Sequence, residues 1–193
     1  MEKGSALLIE DLQNDFCSGG ALAVPGGDEV IPVLNRYIDL FLGQDLPVFA
    51  SRDWHPAESS HFSDYGGIWP VHCVQGSDGA RFHPELNLPD AVVVISKGMD
   101  PAEDGYSSFE AFSDEGKSFS ESLEEIGVRH LFVGGLATDY CVRNTVLEAL
   151  KKGFLVTLLI DAIRGVDLKP GDSESALREM VLAGAVVTCL GDF

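Results

Sequence analysis

No stretch of the chain comes near the roughly 18 consecutive apolar residues that a membrane-spanning helix requires, so no membrane partner is expected. Basic residues are scarce. Thirteen Lys and Arg stand against 31 Asp and Glu, a formal net charge of −18, which argues against nucleic acid and against an anionic membrane surface as partners. The four cysteines, Cys17, Cys73, Cys141 and Cys189, form no C-x-x-C pair and no zinc-finger spacing. In a reducing compartment they read as free thiols, with at most one chemically special. A phosphate-binding G-x-G-x-x-G turn and a G-x-x-x-x-G-K-[ST] loop are both missing, which weakens dinucleotide and nucleoside-triphosphate readings. Internal repeats and low-complexity tracts are absent too. Met1-Glu2-Lys3-Gly4-Ser5 leads straight into a strand-like segment with no signal-peptide pattern, and a cytoplasmic location is expected.

What is present is an alternation of short apolar runs and helical patterns. With 193 residues, 45% of them hydrophobic, and 21 glycines, a single globular α/β domain over residues 1–193 is expected. Apolar runs at 6–9, 46–51, 91–96, 130–133, 154–160 and 185–190 read as buried strands. Helices are expected from a cap at Asp28 through Phe41, and over 119–126, 142–152 and 172–183. The fold class is a doubly wound sheet of about six mainly parallel strands with helices on both faces. Two irregular stretches interrupt the pattern, 56–89 and 99–117. The first holds Trp69 and three of the five histidines, and loops of that length in compact domains are usually functional or disordered.

In open α/β sheets, ligands bind beyond the carboxyl ends of the strands. Asp11, Asp53, Lys97 and Cys141 lie at or just past four successive strand ends. Each has a bland reading: a turn cap, a strand-end charge, a small packing residue. Their shared position favours chemistry. A thiol needs a base, a carboxylate can serve, and a lysine beside both favours the charged forms. Cys141 follows a glycine turn, Gly134-Gly135, and sits at a helix start where Thr138 or Asp139 could cap and the helix N-terminus favours thiolate. The backbone N–H groups of Ala137 and Cys141 could hold an oxyanion. Acyl transfer or amide hydrolysis is the reaction these parts suit. Asp53 and His55, two apart on an extended exit, can address one cation, and His61 and His72 can fold back to complete its shell. Carboxylate plus imidazole suits zinc, iron(II) or manganese. His83 and His130 read as loop or surface residues, Trp54 as a loop anchor. Phe16 and Trp69 could sandwich a flat ring.

Several blocks in order carry a family resemblance: Asp11-Leu12-Gln13-Asn14-Asp15-Phe16 with Gly19-Gly20, Asp53-Trp54-His55-Pro56, Trp69-Pro70-Val71-His72-Cys73, Lys97-Gly98, Tyr106-Ser107-Ser108-Phe109 and Gly135-Leu136-Ala137-Thr138-Asp139-Tyr140-Cys141-Val142. Together they resemble the nicotinamidases, the pyrazinamidase branch of the isochorismatase-like hydrolases. The resemblance implies Asp11 as general base, Lys97 as its partner and Cys141 as nucleophile. It implies metal ligation by Asp53, His55 and His72, and by His61 in pyrazinamidase-like members, with the metal positioning a pyridine ring. It also implies a ring pocket including Phe16, Trp69 and Tyr106, and a non-proline cis peptide near Leu136 and Ala137. The expected reaction is hydrolysis of nicotinamide to nicotinate and ammonia through a Cys141 thioester, in NAD salvage. The expected cofactor is one divalent ion, zinc ahead of iron or manganese. Two departures stand out: Tyr140, where some relatives carry histidine, and a slightly longer loop between Lys97 and Tyr106. The alternatives are another small amide, a vinyl ether (against which Cys141 argues) and a silent ligand-binding scaffold. A homo-oligomer is left open, the outer helices showing no self-association signature.

Overall fold

The computed structural model describes residues 2–193. Its centre is a seven-stranded sheet: β1 (Ser5–Glu10), β2 (Val48–Asp53), β3 (Val93–Lys97), β4 (Phe112–Ser113), β5 (His130–Leu136), β6 (Leu155–Arg164) and β7 (Val186–Thr188). The strand order is β4-β3-β2-β1-β5-β6-β7. All pairings are parallel except that of β4, a two-residue strand running antiparallel along the edge of β3. It accounts for the difference from the six strands expected: a pair of residues inside an irregular stretch carries no readable period. The switch of direction lies between β2 and β5 on either side of β1, which is where this architecture places a ligand crevice.

Alternation along β1 divides the core. Leu7 and Ile9 face α1 (Ile31–Leu42), packing with Leu34, Ile38 and Phe41. Ala6 and Leu8 face the opposite layer, made by α2 (Phe119–Glu125), α3 (Arg143–Lys151) and α4 (Asp172–Leu182), where Phe119, Leu123, Val146 and Met180 are buried. Helices therefore cover both faces, but unevenly. No α-helix joins β2 to β3, only a 3-10 turn at Ser63–Tyr65; the irregular segment between them supplies part of the α1-side layer through residues such as Cys73, Ala80 and Leu86. Ser118 and Glu121 close a reciprocal capping box on α2.

Three local expectations differ. Asp28 does not cap α1: it lies in a short 3-10 turn, Gly27–Val30, and its Oδ1 accepts from Ser18 N instead. Neither Thr138 nor Asp139 caps the helix after β5. Ala137 occupies that position, and Asp139 accepts from the backbone N–H groups of Val166 and Asp167. The segment Thr138–Val142 is a wide π turn that precedes α3, so the cysteine lies in that turn and not in regular helix. The Leu136–Ala137 peptide is cis. Gly135 has φ 121°, and a Cβ there would collide with the Glu10 backbone, so β1 and β5 can approach at their active ends only through glycine.

Candidate active site

Strand periodicity puts the chemistry on one face. Ser51 and Asp53 continue the side of β2 that Phe49 occupies, and Lys97 continues the side of β3 that Ile95 occupies, both toward α2 and α3. Asp53 and Lys97 are direct neighbours across the β2–β3 ladder. The Lys97 side chain is wholly buried. Its Nζ contacts Asp53 Oδ1, lies 2.8 Å from Asp11 Oδ2 and 3.5 Å from Cys141 Sγ. The Asp11 contact is an ion pair without hydrogen-bond alignment. Asp11, Asp53 and Cys141 each offer an atom within 4.8 Å of the others. Asp11 leaves the strand with φ 50°, a left-handed backbone that non-glycine residues rarely adopt.

Burial sets the direction for Cys141 and Asp11. It pushes the Cys141 thiol well above its ordinary value, and the Lys97 ammonium opposes that only in part. The resting sulfur is therefore a thiol, contrary to the thiolate that a helix N-terminus suggests, because a dry site with carboxylates nearby disfavours another anion. Burial likewise lifts Asp11, with Lys97 pulling the other way. A lifted carboxylate is a stronger base, better matched to a thiol. For Asp53, burial is outweighed by Lys97 and by the His55 side chain, and the carboxyl is held well below the usual range. Lys97 itself, despite burial, is raised well above its ordinary value by Asp11 and Asp53.

Beside Asp53 stand His55, His61 and His72, all buried, with ring nitrogens within 4.8 Å of one another. Each has its Nδ1 at an oxygen: His55 at Gly98 O (3.1 Å), His61 at Asp104 Oδ1 (3.0 Å), His72 at Pro70 O (2.7 Å). Those contacts assign the Nδ1–H tautomer and leave each Nε2 as a lone-pair donor, the arrangement by which proteins prepare metal-binding imidazoles. The His55 Nε2 is buried with no hydrogen-bond partner and lies 3.6 Å from Asp53 Oδ2. Burial lowers His72 to about 4 and also lowers His61, so both stay neutral and able to ligate. The donor set fits a divalent ion. Gly98, at φ 63°, lets the chain pass under the His55 ring, where a Cβ would collide. Asp104 comes from the loop between Lys97 and Tyr106, so the segment that is long in sequence supplies the partner of His61.

A narrow pocket opens over these groups, lined by Phe16, Trp69, Tyr106, Ala137, Tyr140 and Cys141, with His61, His72 and Asp53 at its base. Trp69 Nε1 donates to Tyr106 Oη at 2.8 Å, and the Tyr140 ring meets Trp69 edge-on at 4.8 Å. The Ala137 carbonyl accepts from Tyr140 N and Val142 N (both 3.1 Å), passing over the N–H of Cys141.

Residues 5–192 match the isochorismatase domain model. The chain belongs to the isochorismatase family. It is 44% identical to the nicotinamidase of Escherichia coli (strain K12), over 97% of this chain and 96% of that one. Among solved structures, it is similar to the pyrazinamidase of Pyrococcus horikoshii in complex with zinc (TM-score 0.89, 44% identity, 97% and 99% covered). It is also similar to PnC1 of L. infantum in complex with nicotinate (TM-score 0.87, 36% identity, 98% and 94% covered).

Within this isochorismatase fold, every residue singled out from the sequence falls in the one cluster: Asp11, Lys97, Cys141 and Ala137; Asp53, His55, His61 and His72; Phe16, Trp69 and Tyr106. Others were not singled out. Tyr140, noted in the sequence only as a departure from some relatives, forms a pocket wall. Gln13 clamps Asp53 from behind, donating to Asp53 O (2.7 Å) and accepting from Asp53 N (2.8 Å). Glu10, Ser51 and Ser108 form a buried polar network under Asp11. His83 is half-buried near Cys17 and Asp28 in the glycine loop, with Nδ1 accepting from Glu85 N, and His130 bonds Thr157 on β6. Trp54 packs on the core with the Arg52 guanidinium over its ring.

Proposed function

We propose that this member of the isochorismatase family hydrolyses nicotinamide to nicotinate and ammonia, and acts on pyrazinamide as a close analogue. The observation that carries the reading is the single buried cluster in which a neutral thiol, a lifted carboxylate and a fixed ammonium lie beside three imidazole lone pairs, under an aromatic slot. Asp11 takes the Cys141 proton and the sulfur attacks the amide carbonyl. Lys97 stabilises the anions that appear as the proton moves. The oxyanion is received by the N–H groups of Ala137 and Cys141. Asp11 returns the proton to the departing ammonia, leaving a thioester, and then activates the water that releases nicotinate. Asp53, His55, His61 and His72 would hold one divalent ion, zinc ahead of iron or manganese, which when bound supplies a Lewis-acid anchor for the substrate ring. Phe16 and Trp69 flank the ring.

We place the reaction in salvage of pyridine nucleotides, by one domain spanning the chain and in a reducing cytoplasm. Four free cysteines suit that compartment, and no helix among the described residues is long and apolar enough to cross a membrane. Coupled ammonia release from nicotinamide tests the proposal. Activity is expected with zinc, is expected to disappear with a chelator, and to return on adding the metal. No ammonia from protein with metal bound and Cys141 reduced would overturn it. A second measurement addresses the slot: Tyr106→Phe leaves Trp69 Nε1 without its acceptor, a loss of about 1 kcal/mol or more, and KM is expected to rise roughly 5-fold with kcat little changed.

A further inference from the structure

Glu10 occupies a position where the fold expects an apolar residue. It follows Ala6 and Leu8 on the face of β1 that packs against α2 and α3, and it has no solvent exposure. Among the described residues, none forms an ion pair with it. Its carboxyl instead meets hydroxyls: Ser51 Oγ at 2.8 Å from Oε2, Ser108 Oγ at 3.0 and 2.9 Å from the two oxygens, and the Thr145 side chain. Ser51 Oγ also lies 2.7 Å from Asp11 Oδ1. Ser51 thus bridges two carboxyl groups with one hydroxyl hydrogen.

Counting hydrogens settles how that bridge must be populated. The Ser108 hydrogen goes to Glu10. The Ser51 hydrogen can serve Glu10 or Asp11, not both. With both carboxyls ionised, one short oxygen–oxygen contact would hold no proton, between groups that have no exposure to solvent. One carboxyl must therefore carry a proton. Lys97 Nζ stands 2.8 Å from Asp11 and makes no ion pair with Glu10, which places the negative charge on Asp11 and the proton on Glu10.

We propose that Glu10 is a positioning residue for the base: a neutral carboxylic acid that donates to Ser51 Oγ and so commits the Ser51 hydrogen to Asp11 Oδ1. The proposal rests on Asp11 serving as base in the amidase reading. It gives Asp11 a fixed hydrogen bond on one oxygen and leaves the other beside Lys97. The charged and titratable groups around Glu10 support the assignment. Burial and the neighbouring Asp11 raise it to about 8, and Lys97 opposes them. The Cys141 thiol also feels Glu10, Asp11 feels Asp53, and the Thr145 hydroxyl on α3 bonds the Glu10 carboxyl and opposes the rise. Above that value Glu10 ionises, the Ser51 hydrogen is drawn back to it, and Asp11 loses its donor while gaining a repulsive neighbour.

Glu10→Gln tests this, because a carboxamide can donate to Ser51 and accept from Ser108 at every pH. Between pH 7 and pH 9.5, the ammonia-release rate of the wild-type enzyme is expected to fall about tenfold per unit above pH 8, as for loss of one essential proton. That limb is expected to vanish in Glu10→Gln. In a Ser51→Ala background, where only the repulsion from ionised Glu10 remains, the substitution is expected to move the pH profile much less. Superimposable profiles for Glu10→Gln and wild type would overturn the proposal, as would an undiminished Glu10→Gln effect in Ser51→Ala. Infrared spectroscopy provides an arm without nicotinamide: a protonated-carboxyl stretch at pH 7 that disappears in Glu10→Gln supports the neutral acid, and a spectrum with no such band overturns it. That arm fails or succeeds independently of the amidase reading.

Discussion

Cys141→Ala is expected to release no ammonia from nicotinamide above background, a loss of at least about 10^4-fold in kcat, the scale on which removal of a nucleophile acts when the remaining groups work only through it. Asp11 would keep its place and Lys97 its two carboxylates, but neither can form the acyl bond. The fold should survive. Cys141 is a small residue, buried at 7% exposure in the π turn, and alanine removes one sulfur whose loss costs about 1 kcal/mol of packing. Two measurements separate chemistry from folding. The thermal midpoint of the variant is expected within a few degrees of the wild type. Acid-quenched wild-type enzyme turning over nicotinamide is expected to carry a mass increment of one acyl group, and the variant none. A variant that released ammonia at the wild-type rate would show that the covalent route is wrong. Cys141→Ser is expected to resemble the alanine variant, because a buried hydroxyl is far harder for a carboxylate to deprotonate than a thiol.

The legibility of this site follows from the kinds of signal that chains carry. Continuous apolar runs announced the buried parallel strands, and the residue at each run's end is where an α/β sheet presents side chains to a ligand. Asp11, Asp53, Lys97 and Cys141 were readable on that ground alone. The three histidines needed more, because nothing in the spacing of His55, His61 and His72 requires them to converge. Convergence comes from contacts to the Cys73 backbone: His55 N donates to Cys73 O, and the Asp15 side chain accepts from Cys73 N at 2.7 Å. Those contacts join segments far apart in sequence. Glu10 was invisible for another reason. A glutamate at the end of an apolar run reads as the first solvated residue after a strand, and only the register that sets it beside Ser51, with Ser108 folded over it, shows it to be wholly buried. The two-residue β4 and the π turn were missed because neither is long enough to impose a period. The cap expected at Thr138 or Asp139 failed because Asp139 is engaged by the Val166 loop.

That buried acid also carries a stability consequence, with a definite sign. An acid whose folded value is raised, here from 4.5 to about 8, contributes stability fully present below its unfolded value and lost as pH rises through the folded one. The stability difference between Glu10→Gln and wild type should therefore shift in favour of the variant as pH rises from 4 to 8, by a few kcal/mol at most. Chemical denaturation across that range reads it.

Lys97→Met should disrupt fold and activity together. Lys97 is the one cation in contact with Asp11 and Asp53 among the described residues, and it is inaccessible to water. Methionine matches its length and apolar stem but leaves two buried carboxylates facing each other. Breaking a buried pair by removing one partner costs about 3–5 kcal/mol, and activity is expected to fall at least about 10^3-fold because Asp11 can no longer be ionised beside the thiol. The pH dependence should steepen beyond the slope that Glu10 already gives the wild type. In the wild type, Asp53 is depressed below 3.8, so its contribution is present above that value and lost as pH falls through the folded one. Lys97 is raised above 10.5, so its contribution is present below that value and lost only as pH rises through the folded one. Both are in force at neutral pH. Without the ammonium, burial dominates both carboxyls and lifts them, and the variant should gain stability as pH drops from 8 to 5 and one of them binds a proton. Denaturation of chelated protein at those two pH values measures the slope. A variant as stable as wild type at pH 8 would mean that the carboxylates find another partner. Lys97→Arg should not rescue, because a planar guanidinium cannot occupy a closed site shaped around a point ammonium that also reaches a sulfur at 3.5 Å.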